Sequence, residues 1–110
     1  NFLQIDIEAT NGSTITTLIN LEKVMNQYKF ACVAFEHDYY RENNEYNTRV
    51  KSREIFKKHG YKLVLPNVSS NNKPFEDWYL HPDIVDNKII ENIKKNNIYN
   101  NKINWKNIIL

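Results

Sequence analysis

The chain has 110 residues and a mass of 13.2 kDa, which is room for one domain or part of one. Hydrophobic residues make up 41% and charged residues 25%, with a mean hydropathy of -0.68, so the chain is polar yet apolar enough to build a core. No apolar run reaches the roughly 20 residues of a membrane span, the lone Cys32 excludes a disulfide framework or a Cys-rich zinc site, and a net charge of +2 does not point to nucleic acid. This composition suits a small cytoplasmic domain.

Two glycines and three prolines leave few places for phosphate-cradling loops. Asn, Lys and Ile crowd residues 87–110 (NKIIENIKKNNIYNNKINWKNIIL), a bias that fits the codon usage of an AT-rich genome. The first residue is Asn1 rather than Met and falls beside a predicted strand, so a fragment of a longer chain is expected. No charged-then-apolar leader is recognisable.

Phe2 to Ile7 (FLQIDI) has the apolar–polar alternation of a strand and runs into the polar stretch ATNGS. Ser13 or Thr14 is placed to cap a helix that carries Ile15, Leu18, Ile19, Glu22 and Met25 at helical spacing. Lys29 to Phe35 (KFACVAF) is nearly continuous in apolar residues, as in a strand covered on both faces. After a polar, aromatic loop (Glu36 to Asn47), Thr48 to His59 reads as a helix with Val50, Ile55 and Phe56 inward, ended by Gly60.

Tyr61 to Leu65 is the third predicted strand and Phe75 to Leu80 the fourth, with a turn-rich connection over Asn67 to Pro74 that makes them a hairpin. His81-Pro82-Asp83 then leads into a helix with Ile84, Val85, Ile89, Ile90 and Ile93 at helical spacing. Two strand–helix–strand steps call for right-handed crossovers and parallel strands, and the hairpin adds an antiparallel member at a mixed edge. The fold class is therefore α/β, with the look of half a doubly wound sheet.

In such sheets ligands sit beyond the carboxyl ends of the parallel strands. The first strand delivers Asp6 and Glu8 there, and the second delivers Glu36, His37 and Asp38. Crowded carboxylates raise one another's pKa, which turns an acid into a usable base near neutral pH. Asp6, Glu36, His37 and Asp38 also present donor atoms suited to a divalent cation, although no metal is assigned. The competing view is that these acids are solvated or cap the next helix. His81, held extended before Pro82, reads as a structural turn residue. Tyr39, Tyr40, Tyr46, Trp78 and Tyr79 would line a planar or sugar substrate or simply fill the core, and Lys51, Arg53, Lys57 and Lys58 read as a solvated helix face. No GxGxxG, GxxxxGK[ST], GxSxG or HExxH occurs.

Four stretches in order resemble the FkbM family of S-adenosylmethionine-dependent methyltransferases. QIDIE (Gln4 to Glu8) is similar to its K-I-D-[VI]-E-G strand end, and INLEK (Ile19 to Lys23) precedes a strand ending FEHD (Phe35 to Asp38), like the family's I-E-H. HGYKLV (His59 to Val64) and EDWYLHPD (Glu76 to Asp83) resemble its n-G-Y-k and D-D-W-[YF]-[VL]-x-P motifs. The family's glycine after Asp-x-Glu is Ala9 here.

The resemblance implies that residues 1–86 are the C-terminal half of a Rossmann-like methyltransferase domain, with two parallel strands, a closing hairpin and helices on both faces. Residues 87–110 would be a helical extension. It further implies methyl transfer from S-adenosylmethionine to a hydroxyl of a sugar or small metabolite. Asp6 and Glu8 would face the transferring methyl group and the acceptor, and Glu36 and His37 would flank them. The cofactor's glycine-rich loop would lie before Asn1, so no residue of this chain is assigned to the cofactor. Severed this way, the strand FLQIDI would expose an unpaired edge, and a homodimer is expected. The alternative is a non-catalytic α/β interaction or assembly module that has lost cofactor binding.

Overall fold

Alternation at the start of the chain, apolar runs in its middle and amphipathic stretches between them produce, among the described residues, five strands and three α-helices. The computed structural model describes residues 1–9, 11–41, 45–97 and 103–108. In chain order the elements are β1 (Phe2–Ile5), α1 (Ser13–Glu22), β2 (Cys32–Glu36), α2 (Thr48–Lys58), β3 (Lys62–Ser70), β4 (Lys73–Leu80), α3 (Asn87–Asn96) and β5 (Ile103–Asn104), followed by one 3-10 turn, Trp105–Asn107. One mixed sheet has the order β1-β2-β4-β3-β5. β1 and β2 are parallel, β4 runs antiparallel to both β2 and β3, and β5 lies parallel to β3.

The antiparallel strand is therefore interior, not at a mixed edge as the sequence suggested. β4 carries Tyr79 towards one core and Trp78 and Leu80 towards the other, so both of its faces want cover. β3 carries Pro66, which cannot donate to a ladder and is tolerated at a bulge, and its register against β4 shifts between Leu65 and Val68. The hairpin turn is also tighter than residues 67–74: both strands run on to Asn71 and Asn72, whose φ angles of 52° and 64° make a two-residue left-handed turn.

Two cores cover the sheet. Ile15 and Leu18 of α1 and Phe56 of α2 pack on Ile5, Val33, Phe35, Tyr61 and Tyr79. On the opposite face Ile90 of α3 joins Val64, Leu65 and Val68, flanked by Phe75, Trp78, Ile93 and Ile108. Burying Ile15, Leu18, Val33, Phe35 and Phe56 contributes roughly 1.5–3 kcal/mol each from area removed from water.

Several local expectations change. Gly12 (φ 81°) takes the N-cap position of α1; Ser13 and Thr14 lie inside the helix, and the Ser13 N–H donates to Asn11 Oδ1 at 3.0 Å. Ile19 and Val50 are exposed, because α1 and α2 turn Ile15–Leu18 and Thr48–Ser52–Phe56 inward instead. Arg53 leaves the basic face of α2 to pair with a buried acid. Among the described residues, the C-terminal extension is α-helical over Asn87–Asn96, capped by the Asp86 carboxylate on the Lys88 N–H at 2.8 Å. Beyond it, Ile103–Asn104 pairs with Val68 and Ser69; residues 98–102, 109 and 110 of the expected extension lie outside the described residues.

Candidate functional site: an acidic rim

β1 and β2 run parallel with Ile5 opposite Phe35, so the residues that follow emerge at the same rim. There the Glu36 carboxyl stands near enough to Asp6 and Asp38 for both to bear on its ionisation. Asp38 is fixed by its backbone: at φ 45° it lies in the left-handed region, its N–H and that of His37 both donate to the Phe75 carbonyl at 3.0 and 2.8 Å, and its own carbonyl accepts from the Arg41 N–H at 2.8 Å. Burial, reinforced by the hydrogen bonds and charges of Asp6 and Asp38, pushes the Glu36 carboxyl up to about 9. At neutral pH Glu36 keeps its proton. A cavity of about 310 Å³ opens beside it, lined by Glu36, Asp38, Tyr40, Asn71, Lys73 and Phe75.

Glu8 is half-buried in the β1–α1 loop, where its carbonyl accepts from the Ser13 and Thr14 N–H groups at 3.1 and 3.4 Å. Ala9 is buried and its carbonyl accepts from the Gly12 N–H at 3.2 Å.

Successive residues of a strand project to opposite faces, and His37 accordingly turns away from Glu36 into the α1–α2 side. Its Nδ1 accepts from the Tyr39 N–H at 3.1 Å, so Nε2 carries the hydrogen of the neutral ring and faces Asp77 Oδ1 at 3.3 Å, a contact too poorly aligned for a full hydrogen bond. Asp77 is fully buried and takes a two-pronged contact from Arg53, Nε to Oδ2 at 2.8 Å and Nη2 to Oδ1 at 3.0 Å, with the Asn67 N–H adding a third bond at 2.8 Å. Burial alone would raise its pKa; His37 and Arg53 outweigh that and hold the carboxyl well below the usual carboxylate range.

Sequence reasoning gave Asp77 and Glu76 no site role and read Arg53 as part of a solvated helix face, whereas Arg53 pairs with Asp77. Two adjacent acids inside an aromatic strand, FEDWY, were the available signal. His81 behaves as the turn residue its sequence context indicated: Nδ1 accepts from the Asp83 N–H and Nε2 donates to the His59 carbonyl, each at 3.1 Å, while the ring meets Tyr61 edge-on.

Both glycines are already committed to packing: a Cβ on Gly12 would stand 2.8 Å from the Tyr46 ring, and one on Gly60 would stand 3.3 Å from His81 Nε2. The first amides of α1 are spent on Asn11 and Glu8. The two glycines and the start of α1 therefore leave no open loop or uncapped N-terminus at those positions. Among them, no three His, Cys, Asp or Glu side chains converge as a metal site would require, and no helix is long and apolar enough to cross a membrane. No protein-family model, curated protein or solved structure matches the chain.

Proposed function

We propose that the chain supplies the acceptor-activating half of an S-adenosylmethionine-dependent O-methyltransferase acting on a hydroxyl of a sugar or small metabolite. The observation that carries this is the Glu36 carboxyl, held protonated between Asp6 and Asp38 where two parallel strands end. The hairpin that brings an antiparallel strand beside those two, with helices on both faces, supports the half-domain layout. An acceptor hydroxyl reaching this rim, where Asp38 lines the 310 Å³ cavity, would donate to an Asp6 or Asp38 carboxylate, and its proton would pass to that oxygen as the hydroxyl reacts. Glu36, already protonated, keeps the neighbouring charges from repelling each other. On this reading the methyl donor's main binding loop lies outside this chain.

One observation favours the second reading, a non-catalytic module: the ring of Tyr46 closes over Gly12 at the start of α1. Transfer of labelled methyl from S-adenosylmethionine to a panel of hydroxyl acceptors, by the gene product that carries this chain, separates the two. Under the enzyme reading, Asp38→Asn and Asp6→Asn each lower kcat by about 100-fold while the thermal midpoint moves little. No transfer by the unaltered protein, or wild-type rates in both variants, would leave the module.

A further inference from the structure

On the α3 side of the sheet, away from His37 and Asp77, lies a second cavity of about 580 Å³. Its walls include Phe75, Trp78 and Trp105, its base is Val68 and Ile108, and one carboxylate, Glu76, faces into it. Trp105 is half exposed although it covers an apolar hollow. Glu76 is only 7% exposed, and its Oε2 accepts from Trp78 Nε1 at 2.6 Å. No Lys, Arg or His forms an ion pair with it among the described residues. Directly across the ladder stands Glu36, another acid.

A buried carboxylate is stable only when its charge is met. Here an indole N–H supplies a single hydrogen bond, and aromatic and aliphatic side chains with Ser70 line the rest of the cavity. The negative face of an indole attracts cations, most strongly where water is excluded. The Lys106 ammonium already stands 5.7 Å from the Trp105 ring centroid. Volume, aromatic walls and an uncompensated carboxylate together define the missing partner. We propose that this cavity binds an organic ammonium ion, with its charge on Glu76 and its alkyl groups against Trp78, Trp105 and Phe75. The proposal stands on its own geometry and does not depend on methyl transfer.

Choline and its neutral isostere 3,3-dimethylbutan-1-ol, titrated at matched ionic strength, test it on the intact chain. The readout is the indole N–H resonance of Trp78 and of Trp105. Choline is expected to shift both saturably and to bind at least tenfold more tightly than the alcohol. Trp105→Ala, a change at a half-exposed side chain, should weaken choline at least fivefold, and Glu76→Gln should abolish the preference for the cation. Equal binding of the two ligands, no saturable shift with choline, or an undiminished preference in folded Glu76→Gln would each overturn the assignment.

Discussion

Glu76 and Asp77 are neighbours in β4, and both are buried, yet the protein treats them in opposite ways. Asp77 faces the α1–α2 core, where Arg53, the Asn67 N–H and the His37 ring converge on it; its carboxyl is held ionised far below the ordinary range. Glu76 faces the other side, opposite Glu36, with one indole N–H for company; burial raises its pKa, and nearby Asp6 adds to the rise. Burial is common to both. The difference lies in what stands within hydrogen-bond reach, which makes one face of the sheet a sealed ion pair and the other an electrostatically unsatisfied surface open to ligands.

The largest effect should follow from breaking the sealed side. Arg53→Met leaves the Asp77 charge buried with only neutral donors and should cost about 3 kcal/mol in urea denaturation. Adding Asp77→Asn to that variant removes the stranded charge while an amide oxygen still accepts from the Asn67 N–H. The double variant should regain at least half of the loss. A double variant no more stable than the single one would show that charge pairing is not what this network contributes.

How much of this contrast could be read in the chain depends on what kind of signal each residue gives. The run VAF in β2 and the stop at Gly60 are local, and both are legible in the sequence; the Asp86 cap is not, since the apolar spacing starts the helix before Ile84. The acids Asp6, Glu36 and Asp38 were also legible as a group, because strand order and parallel direction alone bring the ends of β1 and β2 to one rim. Long-range register was not legible. The stretch NVSSNN reads as a loop until β4 pairs with it, and Asn67 and Pro66 reveal their bulge only against Trp78 and Glu76. Val50 outranked Thr48 and Ser52 on hydrophobicity, but their spacing of four with Phe56 decided the inward face. Which face Glu76 and Asp77 take follows from that register and not from the letters.

A middle-sized effect separates the two faces by pH. Glu36 has a folded pKa of about 9 against an ordinary value of 4.5, so the stability it contributes is complete below 4.5 and is lost as pH rises through about 9. Asp77 has the opposite sign: its contribution is present above its ordinary value of 3.8 and is lost on acidification towards its lower folded pKa. Unfolding free energies at pH 5, 7 and 9 should therefore decline for the native chain, and Glu36→Gln should flatten that decline by on the order of 1 kcal/mol, allowing for solvent screening at the rim. An identical slope in the variant would remove Glu36 as its source.

The smallest effect is the most direct comparison, because it neutralises the two adjacent acids one at a time. Asp77→Asn deprives Arg53 of its counter-charge and should destabilise the chain. Glu76→Gln keeps an oxygen to accept from Trp78 Nε1 and deletes a charge the folded state disfavours. With a raised folded pKa, Glu76 contributes stability below its ordinary 4.5 that is lost as pH rises through the folded value, and glutamine does not share that loss. At pH 8 the Glu76→Gln melting temperature should equal or exceed the native one, with a gain of up to about 1 kcal/mol, while Asp77→Asn melts lower. If both substitutions destabilise alike, Glu76 is satisfied by a cation within the chain itself, and the two faces of β4 differ less than their contacts indicate.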